Sequence, residues 1–332
     1  MECSIWYSPY TLSSKAPLNA RSPQMLRHGA LLRVEQAGKV GFADCHPWPE
    51  LGDLPLEQQL QKLAQHENTS LTTQSVFLAG LDALFRDKQK SAFEGLHIPP
   101  SHFLIPDLFQ QDKAELEKFV TDGGRTFKCK VGRDLLAERV ELEKITERFA
   151  GQDVLLRLDS NCMSDEFSCH RFMKQASECL AGMIDFWEDP FPYVAEAWEK
   201  FSDTHGVFLA RDQGVKLSEL KAVDVLVLKP AVQAIQAQLE NLQRLKKRVC
   251  ITSYLDHPLG QMSAAFVAAR AQKVLGKKLE VCGLLSHSAY EANEFSECLR
   301  SAGDQLLPPS GTGFGFDELL EKQDWKKLCL CQ

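Results

Sequence analysis

The sequence predicts a TIM-type (β/α)7β barrel behind an N-terminal α+β capping domain, the cap being completed by the C-terminal tail. Three observations predict it. Apolar strand-like runs alternate with helical patterns from about residue 100 to residue 285, five charged residues end successive runs at near-regular intervals, and the first hundred residues follow a different, antiparallel plan. A chain of 332 residues exceeds one typical core, so a large barrel beside a smaller domain is the natural division. The expected boundaries are 1–100 for the cap, 101–300 for the barrel and 301–332 for the tail that packs back on the cap.

In the cap, residues 2–8 and 26–45 read as strands of an antiparallel meander with AGK as a turn. LEQQLQKLAQH and SVFLAGLDALFRDKQ then space Leu, Val and Phe as amphipathic helices do. The prolines of IPPSHFLIPDLF mark the crossing into the barrel. Strands are expected at about 102–106, 125–131, 153–159, 182–188, 207–212, 223–229 and 248–253, with an eighth in LEVCGLL. Helices are expected between them at 134–149, 168–181, 194–204, 216–222, 234–247 and 258–275. Helices between consecutive strands imply a parallel sheet, and seven or eight such units imply closure with the site at the C-terminal rim. PPSGTGFGFDELLEKQDW is Gly-rich and then helical, which suits a tail leaving the barrel. GTGFG lacks a preceding strand and a following helix, so it is not a phosphate loop.

The charged residues carry the chemistry. LLRLDSN, MIDFWEDP and VFLARDQ end on Asp159, Glu188 and Asp212, flanked by FKCK with Lys128 and Lys130 and by VLVLKP with Lys229. From Lys130 to Asp159, Glu188, Asp212 and Lys229 the intervals are 29, 29, 24 and 17 residues, close to the period of a βα unit. Each group alone has an ordinary reading: K-x-K as two outward lysines, Glu188 as a strand end, Asp212 as a helix cap. Jointly they read as one rim. Three acids on one rim repel unless a hard cation joins them, and an all-oxygen set suits Mg²⁺ first and Mn²⁺ next, whereas zinc would select His or Cys. Strand alternation puts Lys128 and Lys130 on one side with Cys129 on the other, and Arg157 on the same side as Asp159. Asp185 and Asp224, near strand starts, read as boundary residues, and His46, His257 and His287 are not spaced as ligands.

Composition excludes several classes of partner. A formal charge of −7 and a pI near 5.8 disfavour nucleic acid and anionic membrane, which select basic faces. No apolar run reaches the length of a membrane span, and MECSIWYSPY lacks the basic-then-apolar order of a signal peptide, so a cytoplasmic protein is expected. The eleven cysteines are odd in number and scattered, as small core residues of a reducing compartment are. Cys329 and Cys331 are too isolated to form a metal site.

The order K-x-K, D-x-N, E-D-P, then Asp and K-P behind an α+β cap resembles the enolase superfamily, in its muconate-lactonizing branch, over nearly the whole chain. The resemblance implies removal of a proton beside a substrate carboxylate to give an enediolate. It makes Asp159, Glu188 and Asp212 the Mg²⁺ ligands, Lys130 the acid/base and Lys229 a cation on the substrate's other side. Lys128 then lowers the pKa of Lys130 and helps hold the substrate carboxylate, and Asn161 supports the metal or its water. Arg157 is open between contacting a substrate carboxylate and forming a structural ion pair. Ser253, and less strongly Ser286, fall where the family binds the distal part of its substrate.

The implied activity is a lyase that dehydrates a cyclohexadiene carboxylate bearing a succinyl side chain to an aromatic product, a step toward menaquinone. N-acylamino acid racemisation, cycloisomerisation and a non-catalytic metal-binding barrel are the alternatives. Gln213 stands where many relatives have an acid, and GLLSHSA replaces the D-x-D of dipeptide epimerases, which argues against that activity. The cap loop from Leu18 to Met25 is expected to close over the substrate.

Overall fold

The computed structural model describes residues 3–18, 24–212 and 220–329. Gln213, Cys331, most of the helix expected at 216–222 and most of the Leu18 to Met25 loop lie outside them.

The cap is a meander of β1 (Cys3–Ser13), β2 (Leu26–Gln36) and β3 (Lys39–Cys45), followed by α1 (Leu56–Ala64) and α2 (Ser70–Arg86). The β2–β3 turn takes positive φ at Ala37 and Gly38, the two residues of a tight hairpin. Thr69 and Thr72 form a reciprocal capping box that starts α2 five residues before the expected position. This helix lies so close to β3 that a Cβ on Gly41 would sit 1.9 Å from the carbonyl oxygen of Ala79, so only glycine allows the contact.

The barrel strands are β4 (Phe103–Ile105), β5 (Thr126–Lys130), β6 (Leu155–Asp159), β7 (Ile184–Glu188), β8 (Leu209–Arg211), β9 (Val225–Leu228) and β10 (Arg248–Ile251). They form one parallel sheet in sequential order. Between them run α3 (Lys113–Thr121), α4 (Leu135–Arg148), α5 (Glu166–Gln175), α6 (Glu178–Met183), α7 (Ala195–His205) and α8 (Ile235–Arg244), with α9 (Pro258–Leu275) after β10. The single helix expected at 168–181 is two, because the Ser177 hydroxyl accepts from the backbone N–H of Leu180 and begins a new helix.

The eighth strand is reduced to single bridges. Leu279 pairs with Val249, Gly283 with Thr252 and Cys282 with Ser101, which joins β10 to the residues before β4. Successive backbone groups there turn to alternate neighbours, Gly283 N–H to Ile251 and Cys282 N–H to Pro100, so neither side acquires a continuous ladder.

After the barrel come α10 (Glu294–Glu297), the hairpin β11 (Arg300–Ala302) and β12 (Gln305–Leu307), α11 (Asp317–Glu321) and β13 (Lys326–Leu328). β13 pairs antiparallel with β1, and Arg86 on α2 reaches Asp317 and the carbonyl of Gly315, so the tail is bound to the cap. Phe127, Cys129, Leu156, Leu158 and Trp187 face the helix layer and join the main core. Phe186, Ala210, Val225, Val227 and Cys250 fill the barrel interior.

Candidate active site at the C-terminal rim of the barrel

Each rim residue is placed by how its strand ends. In TFKCK all five residues are buried, and alternation sends Cys129 to the helices and both lysines into the barrel mouth. β6 stops at Asp159 because Asn161 and Cys162 turn left-handed, with φ of 47° and 58°. Asparagine tolerates that region, and its backbone N–H returns 3.0 Å to Asp159 Oδ1, which accounts for the D-x-N spacing. β7 ends the same way, Asp189 taking φ 42° after Glu188 and before Pro190. β9 ends at Lys229-Pro230, where Gln233 Oε1 accepts the Lys229 N–H at 2.6 Å.

The charged groups meet. Lys128 Nζ lies 2.7 Å from Glu188 Oε2 and 2.9 Å from Asp159 Oδ2, while Lys130 Nζ lies 2.6 Å from Asp159 Oδ2 and 2.9 Å from Asn161 Oδ1. Lys229 Nζ pairs with Asp212. Lys128, Lys130 and Lys229 line one pocket with His102, Thr252 and Ser253, and Leu18, Trp48 and Leu51 of the cap adjoin Lys130, Asn161 and Lys229 in a second. β5 and β9 are separated by three strands, so Lys130 and Lys229 face this space from opposite sides.

The electrostatics are those of a dry, strongly coupled cluster. Burial would raise the Asp159 carboxyl, but Lys128 and Lys130 overturn that and hold it well below its ordinary range. Burial lowers Lys130, opposed by Asp159 and reinforced by the neighbouring Lys128. Lys128 and Lys229 move upward instead: burial opposes this, and the surrounding carboxylates, Asp159 first for Lys128 and Asp212 first for Lys229, outweigh it. Glu188 is pushed up to about 7 by burial and then by the charge of Asp159, with Lys128 opposing.

Among the described residues no group of three His, Cys, Asp or Glu side chains is already arranged around a cation, since the ammonium groups hold the carboxylates. The donor set still fits a hard divalent ion: Asp159, Glu188 and Asp212 offer only oxygen, and Glu188 Oε1 is buried without a hydrogen-bond partner among the described residues.

Arg157 sits one layer below Asp159. It donates to Asp185 Oδ2 at 2.8 Å and to the carbonyl of Val281 at 2.5 Å, and lies 4.7 Å above the Phe186 ring. Asp185 is therefore more than a boundary residue, because its other oxygen takes Arg248 at 2.6 Å. Asp224, at the start of β9, ties it to β8 by accepting the Leu209 N–H at 2.9 Å. Ser253 and Ser286 meet across the late strands with hydroxyls 2.7 Å apart, and Ser286 donates to Gln261 Oε1 at 3.1 Å. The reading of spacing alone passed over His102, Thr252 and Gln261. The first had a signal in S-H-F-L-I, where alternation places His102 on the same side as Leu104.

Three lysines and three acids along the β5-to-β9 rim of a capped barrel are the arrangement expected of an enzyme of the enolase superfamily. A family model described as "O-succinylbenzoate synthase, N-terminal domain" matches residues 5–85. The chain is 35% identical over 328 residues to the o-succinylbenzoate synthase of Bdellovibrio bacteriovorus, covering 98% of each, and 26% identical over 266 residues to that of Proteus mirabilis, covering 73% of this chain and 78% of the relative. It belongs to the o-succinylbenzoate synthase family, whose members are lyases.

Solved structures agree on the fold. The L-Ala-D/L-Glu epimerase of Bacillus subtilis superposes with TM-score 0.76 at 16% identity, covering 94% of this chain and 97% of that one. A muconate lactonizing enzyme of Pseudomonas fluorescens, complexed with muconolactone, gives 0.74 at 17%, covering 94% and 95%. A dipeptide epimerase of Cytophaga hutchinsonii, complexed with Mg and D-Ala-L-Val, gives 0.72 at 16%, covering 98% and 99%. No helix among the described residues is long and apolar enough to cross a membrane.

Proposed function

We propose that the chain dehydrates a hydroxycyclohexadiene carboxylate bearing a succinyl side chain to o-succinylbenzoate, in menaquinone biosynthesis. The observation that carries this reading is the placement of Lys130 and Lys229 on opposite sides of one buried pocket, beside three carboxylates.

Lys130 Nζ takes the proton from the carbon next to the substrate carboxylate, and burial favours the neutral amine that this requires. The electron pair of the broken C–H bond moves into the carboxylate, giving an enediolate dianion. Lys229 and Lys128, held as ammonium groups, offset that charge where it forms. The ring C–O bond then breaks, Lys130 returns its proton to the departing hydroxyl, water leaves and the ring becomes aromatic. Asp159, Glu188 and Asp212 would hold Mg²⁺, or Mn²⁺ in its place, which supplies positive charge beside the substrate carboxylate. The cap residues Trp48, Leu18 and Leu51 exclude water from this step.

Turnover is followed by ultraviolet absorbance as the aromatic product forms. Activity with Mg²⁺ that is lost on exhaustive chelation supports the reading; no turnover with Mg²⁺ contradicts it. Lysines facing one pocket from two sides also suit two-base racemisation of N-acylamino acids. The ratio of kcat/KM for the two substrates on one preparation separates the readings, and dehydration is expected to be much the faster.

A further inference from the structure

The wall of the pocket opposite the acids is built by β4, β10 and the closing segment, and His102 is its least explained member. It immediately precedes β4, is 5% exposed and lines the pocket together with Gly283, Thr252 and Ser253. The acids stand on β6 and β7 and just beyond β8, across the barrel mouth from this wall.

The protonation of the ring follows from its neighbour. Arg157 Nη1 lies 3.3 Å from His102 Nδ1, and a guanidinium can only donate. Nδ1 must therefore accept, which puts the proton of the neutral ring on Nε2. Burial, followed by the charges of Arg157 and Lys128, keeps the ring neutral. Nε2 has no hydrogen-bond partner among the described residues. It is left open by Gly283: a Cβ there would stand 2.8 Å from Nε2 and 2.7 Å from Thr252 Cγ2. The same wall contains Thr252 Oγ1, buried without a partner among the described residues, while the Ser253 hydroxyl donates to Ser286. A pocket with lysines on two sides and unspent polar groups on the wall between them is suited to a ligand with more than one acceptor group.

The geometry points to His102 as a specificity-determining residue that donates from Nε2–H to the carboxylate at the succinyl end of the substrate, with Arg157 as the positioning residue that fixes its tautomer. This assignment rests on the proposed synthase reading.

The test compares binding of o-succinylbenzoate with binding of benzoate, which lacks the succinyl arm, in Mg²⁺-loaded protein. His102→Phe is expected to weaken o-succinylbenzoate roughly tenfold to a hundredfold while leaving benzoate unchanged, as loss of one hydrogen bond to a charged group would. In turnover the loss appears in KM more than in kcat. His102→Gln keeps an acceptor for Arg157 and a donor for the pocket, and recovers part of the discrimination. Histidine-selective ¹⁵N spectra of the wild-type protein, assigned by the signal missing in His102→Gln, should show His102 as the Nε2–H tautomer. Equal losses for both ligands, no loss for either, or the Nδ1–H tautomer overturns the assignment. Wild-type protein that turns over no succinyl substrate overturns the synthase reading and this assignment with it, whereas wild-type turnover with unaltered discrimination in His102→Phe overturns this assignment alone.

Discussion

Arg157→Met separates a structural arginine from one that binds substrate. The guanidinium is 1% exposed and makes an ion pair with Asp185, a bond to the Val281 carbonyl and one to His102, so it joins β6, β7, β4 and the closing segment inside the barrel. Removing one partner of a buried pair costs about 3–5 kcal/mol, because the remaining charge is left uncompensated. Asp185 keeps Arg248 at 2.6 Å, which reduces that cost, but the Val281 carbonyl and His102 Nδ1 lose their donor, each at about 1–3 kcal/mol. The expected net loss is about 3–5 kcal/mol, read as a lower urea midpoint at unchanged slope. A loss below about 1 kcal/mol, together with a large rise in KM, would refute the reasoning and return Arg157 to direct contact with substrate.

Other consequences follow from the same geometry. Lys130→Ala should abolish exchange of the substrate's α-proton with solvent deuterium, and full exchange in that variant would name a different base. Lys229→Ala should lower kcat by at least about a hundredfold while exchange persists at a reduced rate, the loss expected when one preorganised charge is removed; an unchanged kcat contradicts its role. Asp159→Asn should abolish turnover with a native circular dichroism spectrum, and retained activity would remove Asp159 from the ligand set. At the junction of cap and barrel, burial raises Asp44 to about 7 and Asp256 well upward, and Asp256 Oδ1 has no partner among the described residues. Acids with raised folded-state pKa values lose stability as pH rises from about 4, where the unfolded carboxyl ionises, through the folded value near 7. Asp256, raised in the same direction, should follow the same sign, so Asp256→Asn should gain stability relative to the unmodified chain as pH rises above about 4, and a gain confined to acid pH would show the sign to be wrong.

Much of this molecule is legible in its sequence because buried parallel strands appear as apolar runs and a functional rim as the charges that end them. TFKCK, LLRLD and IDFWE are placed within two residues for that reason, and D-x-N and E-D-P encode the left-handed turns that stop the strands. What alternation does not convey is depth. Arg157 shares a side with Asp159 but lies a layer lower, where Asp185 and Val281 hold it, and those partners come from β7 and the closing segment, 28 and 124 residues away. LEVCGLL is apolar and predicts an eighth strand, but its hydrogen bonds are divided between two neighbours. Alternation with Leu104 gives only the side that His102 faces; its meaning comes from Arg157 and Gly283, which only tertiary structure brings to it.

The most direct test of the central claim is turnover of the succinyl-bearing hydroxycyclohexadiene carboxylate by purified protein, with and without Mg²⁺, beside N-acylamino acid racemisation on the same preparation. Metal-dependent formation of o-succinylbenzoate with kcat/KM well above that for racemisation is the predicted result. Racemisation as fast as dehydration, or dehydration undiminished by chelation, would contradict it.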